Sequence, residues 1–410
     1  MIGKIKFIAL TFMLSSLIIP LGYSQEKITL NDALRIAIDN NQQIKSAQLN
    51  IAKDEALKST SFNIPNPELF IEYEGVKGSL NNFESRKIGI SQELEFPTNY
   101  FLRSDVLHSQ VSISQEELNN RKNNLEADVK TNYNLLLLQK KLLETSKNNL
   151  TIYIDFLLVA ERKYEVGETS NLEVLNAKIN KIKFENEIIK LESDVNVTQS
   201  ELKNLLNINY DIIPAEELTY NEITLSREEL LQRALQFNPE LQIQKYRKQK
   251  SSNMLSLSKG ELLPNLSLSY YNQKLGTETG FWGMELGLGI PFWFWGAQSG
   301  NIRASGYELQ IASNEETIFR KEIENDLNRS YLDYTNSLRQ LKFFSEEAII
   351  ETEEIFRQAK ISYEQGEIGF FEYLQSLNIV YDTRVQFLNA TYSYNQSIIN
   401  LEKITAGDLK

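Results

Sequence analysis

Cysteine is absent from the 410-residue chain, and histidine occurs once, at His108. The absence of cysteine excludes disulfides, thiolate metal sites, cysteine nucleophiles and lipid attachment through a cysteine. A single histidine excludes most zinc sites and most acid–base catalysis that relies on imidazole. The formal net charge of −12 argues against nucleic acid as a partner. We therefore expect no enzyme and assign no catalytic residue, no metal site and no cofactor.

Proline is also scarce, with 8 residues, and its distribution indicates long helices. Residues 98–213 and 292–410 contain none. Because proline costs about 3 kcal/mol in a helix interior, these two stretches predict long helices with leucine-rich coiled-coil seams. The helices expected are approximately 31–62, 98–163 and 171–207 in the first half of the chain, and 226–259, 298–362 and 371–406 in the second.

The first 24 residues have the features of a signal peptide. Two lysines precede an apolar run from Phe7 to Pro20, and Gly22 and Ser24 fit the small-residue positions of a cleavage site. The run is shorter than the roughly 20 apolar residues that a membrane-spanning helix needs. We therefore expect an exported protein in which residues 1–24 are removed.

The remaining chain consists of two copies of one pattern. Tyr164-Glu165-Val166-Gly167-Glu168 matches Tyr363-Glu364-Gln365-Gly366-Glu367, and three further landmarks recur in the same order. These landmarks are Ile28-Thr29-Leu30 with Ile223-Thr224-Leu225, Pro65-Asn66 with Pro264-Asn265, and Phe96-Pro97 with Ile290-Pro291. An internal duplication predicts structural repeats at 25–210 and 226–410, joined by a linker at 211–225.

Each repeat contains two segments in which apolar and polar residues alternate, as in strands with one apolar and one polar face. They are expected at about 66–76, 86–96, 265–275 and 281–291. Their lengths match the roughly 9–11 residues that a tilted transmembrane strand needs. Acidic residues on the polar faces are Glu72, Glu74, Glu93, Glu95 and Glu285, and they would line the lumen of a barrel.

Phe292-Trp293-Phe294-Trp295 follows the last of these strands. Aromatic residues concentrate at membrane interfaces, so this run favours transmembrane strands. The alternatives are a half-buried sheet in a periplasmic domain and, for the aromatic run, a sugar-stacking patch. Four strands cannot close a membrane barrel, because the smallest bacterial barrels have eight strands and an open edge is not tolerated in lipid. The barrel must therefore be shared between chains, and three chains would give 12 strands.

The signal peptide, the duplicated helix–strand pair–long helix–turn–helix plan and the two Tyr-Glu-x-Gly-Glu turns resemble the TolC-type outer-membrane efflux family over essentially the whole mature chain. Asn66-Pro67-Glu68-Leu69, followed by Ile90-Ser91-Gln92-Glu93-Leu94-Glu95-Phe96, resembles the heavy-metal branch of that family, the CzcC and CusC type. The resemblance implies a mainly α fold with a small β part. It also implies a homotrimer with a 12-stranded β-barrel in outer-membrane lipid and an α-helical periplasmic tunnel.

The resemblance further implies a passive exit duct in the outer membrane. Its partners would be a periplasmic adaptor (a membrane fusion protein) and an inner-membrane transporter of the resistance–nodulation–division type. Heavy-metal cations are the expected cargo, and a drug-efflux or type I secretion duct of the same fold is the alternative. Outside this class, the competing hypothesis is a periplasmic coiled-coil scaffold.

Specific roles at the two turns follow from the same resemblance. The family's tip turns, where the adaptor docks, correspond to Tyr164 and Gly167 and to Tyr363 and Gly366, and its acidic gate positions correspond to Glu173, Glu372 and Gln375. Gln375 departs from the family's acidic residue and weakens the acidic gate. Three-fold symmetry would turn each glutamate into a ring of three charges that passes cations more readily than anions. The alternative for both glutamates is a solvated helix face.

Overall fold

A computed structural model of the protein describes residues 26–80, 83–224, 226–293 and 295–409, so the expected signal peptide and Phe294 lie outside the described residues. The first repeat contains β1 (Glu26–Ile28), α1 (Leu30–Asn40), α2 (Gln42–Lys58), β2 (Glu68–Glu74), β3 (Ser85–Leu94), α3 (Pro97–Glu165) and α4 (Asn171–Leu206). β4 (Ile212–Pro214) lies in the linker. The second repeat contains α5 (Arg227–Phe237), α6 (Pro239–Gly260), β5 (Asn265–Leu275), β6 (Glu278–Gly289), α7 (Ala297–Lys342), α8 (Ile349–Glu364) and α9 (Phe370–Thr405). The fold is mainly helical with a small β part.

The helices expected at 31–62 and 226–259 are each broken into two, which corrects the prediction of single helices. Asn41 separates α1 from α2, and its Oδ1 accepts hydrogen bonds from the backbone N–H groups of Gln43 (2.8 Å) and Ile44 (3.0 Å). Asn238 does the same between α5 and α6, accepting from the N–H of Leu241 at 3.1 Å. A capping residue has non-helical backbone angles, so each asparagine ends one helix and starts the next.

The two long helices differ in continuity. α3 has 69 residues and a length of about 100 Å. Its counterpart was expected as one helix over 298–362, but a six-residue π-helical segment, Phe343–Ala348, separates α7 from α8. π-Helical turns are rare and occur mostly as short interruptions of α-helices. The second repeat therefore contains a break that the first repeat lacks.

The four long strands form one antiparallel sheet in the order β2-β3-β5-β6. β3 of the first repeat pairs with β5 of the second, and the register runs from Ser85 opposite Leu275 to Leu94 opposite Leu266. The two strand pairs are thus joined side by side, and β2 and β6 form the two edges of the sheet.

A second sheet, which the sequence analysis did not anticipate, pairs β1 with β4 in parallel. It ties the start of the first repeat to the linker. The Tyr133 hydroxyl of α3 donates to the backbone oxygen of Ile28 at 2.8 Å. In the second repeat the Tyr334 hydroxyl donates to the backbone oxygen of Ile223. Burial raises the pKa of Tyr334 to about 12, so its hydroxyl remains a donor at physiological pH.

The buried apolar side chains form separate clusters along the length of the molecule. One lies within the first repeat around Tyr133 and Leu202, and another lies within the second around Tyr334 and Tyr394. A third cluster combines both repeats: Phe156 and Phe184 from the first, and Phe370, Tyr373, Leu377 and Tyr381 from the second. The two helical hairpins are therefore fixed to each other by direct packing.

Candidate functional surfaces: the strand sheet and the helical tip

The β2-β3-β5-β6 sheet has two chemically different faces. Cross-strand pairs such as Leu69–Ile90 and Leu268–Leu286 lie on one face, which we call the apolar face. Its apolar members are Leu69, Ile71, Tyr73, Ile88, Ile90, Leu94, Leu266, Leu268, Tyr270, Trp282, Met284, Leu286 and Leu288. Leu69 is 85% exposed and Leu286 is 82% exposed in the single chain. A contiguous apolar surface of this kind marks contact with lipid or another apolar partner.

The opposite face, which we call the polar face, carries four of the predicted lumenal glutamates. The Lys87 Nζ atom lies 3.3 Å from Glu72 Oε2 and 3.4 Å from Glu74 Oε1. Glu93 stands opposite Ser267, and Glu285 stands opposite Ser269. The face is therefore polar and acidic, and part of its charge is neutralised by Lys87.

Glycines on this face make room for an aromatic ring. Tyr271 of β5 stands between Gly89 of β3 and Gly283 of β6 in the register. A Cβ at Gly283 would lie 2.6 Å from the Tyr271 ring, and one at Gly89 would lie 2.5 Å from the Tyr270 backbone oxygen. Any side chain at either position would displace its neighbours, so the tyrosine and both glycines form one packing unit.

Glu95 lies outside the strand that was expected to contain it. β3 ends at Leu94, and the Glu95 carboxylate accepts two hydrogen bonds from Arg103 Nη2, at 2.7 and 2.9 Å. Arg103 belongs to the first turns of α3. This half-buried pair connects the end of the strand to the start of the long helix.

Aromatic side chains gather where the sheet meets the helices. Phe292, Trp293 and Trp295 follow β6 and are 68%, 74% and 62% exposed, and the two indoles are in edge contact at 5.1 Å. The sequence analysis missed the matching group in the first repeat. It consists of Phe62, stacked on Tyr100 at 5.9 Å, and Phe101, in edge contact with Phe62 at 5.4 Å. The duplication was the available signal, because Tyr100-Phe101 follows the first strand pair as Phe292–Trp295 follows the second.

The two tip turns have the same backbone geometry. Gly167 has φ +78° and Gly366 has φ +76°. In each turn the glycine N–H donates to the tyrosine carbonyl three residues earlier, at 3.1 Å to Tyr164 and 3.2 Å to Tyr363. A positive φ favours glycine, which explains both glycines. Apart from the chain neighbours of each glycine, no described residue lies within 4 Å of a Cβ placed on either one, so both turns face open space.

The two tip tyrosines differ in their surroundings. Tyr164 is 48% exposed. Tyr363 stacks on Tyr373, with centroids 4.6 Å apart and an interplanar angle of 4°, and Lys163 Nζ of the other repeat lies 5.4 Å from its ring centroid. Burial, together with the charge of Glu173, raises the pKa of Tyr363. Tyr164 is therefore largely open to solvent, whereas Tyr363 packs between the two hairpins.

The three predicted gate residues lie at the start of the return helices. Glu173 and Glu372 each occupy the third position of their helix, α4 and α9. The Glu372 Oε2 atom accepts a hydrogen bond from the Gly369 backbone N–H at 2.9 Å, so this side chain caps α9. Gln375 is exposed one turn later, and Glu173 is half-buried. The structure thus gives Glu372 a helix-capping contact in addition to its charge.

Across 26–80, 83–224, 226–293 and 295–409, no group of three or more His, Asp or Glu side chains is placed to hold a metal ion. In the same residues, no helix is both long enough and apolar enough to cross a bilayer.

Comparisons with known proteins give a consistent result. A family model described as outer membrane efflux protein matches residues 33–207 and 230–407. The cobalt-zinc-cadmium resistance protein CzcC of Cupriavidus metallidurans is 18% identical over 387 residues, which cover 92% of this chain and 90% of the relative.

Solved structures of channels have the same fold. The outer-membrane channel OprN superimposes with a TM-score of 0.76 at 15% identity, covering 93% of this chain and 90% of that one. CusC gives 0.75 at 16% identity and covers 96% of both chains. The open state of the MtrE outer membrane channel of Neisseria gonorrhoeae gives 0.74 at 15% identity, covering 93% and 89%.

Proposed function

The chain belongs to the outer membrane efflux protein family, and from that premise we propose that three copies form a passive exit duct through the outer membrane. The duct receives its cargo from an inner-membrane transporter of the resistance–nodulation–division type through a periplasmic adaptor. Each copy contributes four strands to a 12-stranded barrel and its helices to a periplasmic tunnel.

The four-stranded sheet is the observation that supports this proposal most strongly. Most of its apolar face is exposed, and β2 and β6 each leave one edge without a strand partner among the described residues. A sheet with open edges is not stable in lipid. Neighbouring strands are all antiparallel, so β6 of one copy and β2 of the next also run in opposite directions. Head-to-tail pairing of these edges closes the barrel by rotation.

The helices support the same arrangement. Exposed apolar residues recur at helical spacing on α4, at Leu172, Leu175, Ile179, Ile182, Ile189 and Val197. A second series, Ile311, Ile318, Leu332, Phe343, Ile350 and Ile361, follows the α7–α8 helix. Within one chain α3 and α9 lie between these two outer helices. Packing of α4 against α8 and the adjoining end of α7 in the next copy would bury the α4 series and the second series from Leu332 onward, on the same sides as β2 and β6.

At the other end of the molecule, we propose that the two turns form the adaptor-docking tip. Gly167 and Gly366 give both turns the same shape, and Tyr164 is the exposed tyrosine. Glu173 and Glu372, with Gln375 one turn later, would form rings around the narrow end of the tunnel. Rings of carboxylates at a constriction favour cations over anions.

Heavy-metal cations are the cargo that we propose. The CzcC relative is named for resistance to cobalt, zinc and cadmium, and the polar face of the sheet is acidic. Drug efflux and type I secretion use ducts of the same fold, so the cargo needs a direct test.

In a strain lacking the gene, we expect reduced tolerance to cobalt, zinc or cadmium salts, restored by the wild-type gene. Unchanged metal tolerance with increased drug sensitivity would reject metals and leave the duct in place.

A further inference from the structure

One end of the apolar face carries two cations. Tyr73, Arg86 and Lys274 are neighbours in one cross-strand row, because Tyr73 is opposite Arg86 and Arg86 is opposite Lys274. Alternation along the strands places this row on the apolar face, two residues beyond Ile88. Among the described strand residues of the apolar face, Arg86 and Lys274 are the ones with charged side chains.

The row lies at the end of the sheet farthest from the helices. Arg86 is eight residues from Leu94, after which the chain enters α3. Eight residues of strand measure about 26 Å, or roughly 20 Å along the normal of the membrane after a tilt of about 40°. The apolar band of an outer-membrane barrel is about 25 Å tall. With the exposed aromatics near the helices at the periplasmic interface, Arg86 and Lys274 reach the headgroup level of the outer leaflet.

An aromatic ring holds the two cations on this face. The Arg86 guanidinium carbon lies 5.8 Å from the Phe83 ring centroid, and Lys274 Nζ lies 5.7 Å from the same centroid. Phe83 is itself in edge contact with Tyr73 at 5.3 Å. Cation–π contacts of this length are attractive and restrict both side chains.

Neither cation is neutralised by the described part of the chain. No carboxylate in these residues lies within ion-pair distance of Arg86 or Lys274, and Arg86 Nε is buried without a hydrogen-bond partner. The acidic neighbours are engaged elsewhere, since Glu84 pairs with Lys77 at 2.9 Å and Glu74 pairs with Lys87 on the polar face. Two cations without acidic partners are unexpected on the apolar side of a chain with a net charge of −12.

We propose that Arg86 and Lys274 bind the phosphate group of a phosphorylated lipid in the outer leaflet. This inference rests on the proposed barrel, which makes the apolar face the lipid-facing one. A charged side chain on that face is tolerated near the interface, where it can reach the headgroups. Arginine binds phosphate through paired N–H groups, and lysine adds a point charge. Phe83 pre-orients both groups, and the neighbouring apolar side chains contact the acyl chains.

The test uses the detergent-purified full chain and lipid A that carries its phosphates. Binding is measured by native mass spectrometry for wild type, for the double variant Arg86→Gln/Lys274→Gln and for the matched control Lys87→Gln. Lys87 is the next residue on the same strand but faces the polar side. The double variant should bind about 30-fold more weakly, whereas Lys87→Gln should bind like wild type. Dephosphorylated lipid A should bind wild type as weakly as phosphorylated lipid A binds the double variant.

Three outcomes would overturn the inference: equal binding by the double variant, equal binding of dephosphorylated lipid A, or full competition by inorganic phosphate, which would indicate a site for the free ion. The oligomeric mass of the same sample separates this result from the proposed function. A trimer that does not distinguish the lipids rejects the phosphate site alone, whereas a monomer rejects the shared barrel.

Discussion

Glu372 illustrates at the residue scale how one side chain can serve both folding and a proposed gate. Its carboxylate accepts the Gly369 N–H at 2.9 Å and so caps α9. Truncation to alanine removes both the charge and the capping oxygen, and an effect on conduction would then have two explanations. Glutamine keeps a side-chain oxygen as an acceptor without the charge, so it separates them.

We predict that Glu372→Gln, combined with Glu173→Gln, lowers cation selectivity in planar bilayers, because each proposed ring loses three charges. Hydrogen exchange in the first turn of α9 should stay at the wild-type level. Glu372→Ala should lower selectivity and also destabilise that turn by about 1 kcal/mol. If the glutamine variant keeps the wild-type reversal potential, the two residues have no role in the gate.

Some polar residues are buried and hydrogen-bonded in the fold, and the sequence alone does not reveal this. Asp54 looks like a surface residue of α2, yet it is 4% exposed and accepts hydrogen bonds from Ser114 and Gln110 of α3. Burial acts to raise the pKa of Asp54. The hydrogen bonds and the charge of Lys53 outweigh burial, so the pKa lies below its usual value. Its partners lie 56 and 60 residues away in the chain, and periodicity does not reveal contacts at such separations.

At the scale of elements, the strands were the most predictable part. Strict alternation fixes which side chains share a face, so the apolar and polar faces follow from the sequence once strands are assumed. The order β2-β3-β5-β6 and the register between β3 and β5 depend on pairing across the repeats, which no local pattern specifies. The breaks at Asn41 and Asn238 carried a local signal, a capping residue, that was overlooked.

We predict opposite outcomes for lysine at two adjacent positions of β6. Leu286 is in the middle of the apolar run, and a lysine on the lipid face near the bilayer midplane costs about 2–4 kcal/mol. Leu286→Lys should therefore reduce the yield of folded protein in the outer membrane. Glu285→Lys faces the polar side and should give a normal yield. Both can be measured by membrane fractionation and heat-modifiable migration in gels, and equal behaviour would contradict the assignment of faces.

At the scale of the whole molecule, the two sides of the chain are different and complementary. β2 and α4 lie on one side, and β6 and α7–α8 lie on the other. Two copies joined by a two-fold axis would bring like edges together, whereas a closed ring joins unlike edges. Unlike edges on the two sides of the chain therefore favour the head-to-tail ring that we propose.

The absence of cysteine allows a background-free test of this interface. With Ile71→Cys on β2 and Leu286→Cys on β6 in the same chain, we predict that a membrane-permeable bis-maleimide gives covalent trimers in denaturing gels. Each single variant should stay monomeric, because like edges do not meet. Covalent dimers from a single variant would indicate a two-fold interface and contradict the head-to-tail ring.

The sequence by itself determined the duplication, the long helices, the alternating strands, the two glycine turns and the family resemblance. All of these follow from local composition or period. The tertiary structure decided the pairing of β3 with β5, the β1–β4 sheet, the capping contact of Glu372, the packing of Tyr363 against Tyr373 and the shared row of Arg86 and Lys274. These features depend on residues far apart in the chain, and only packing in three dimensions brings them together.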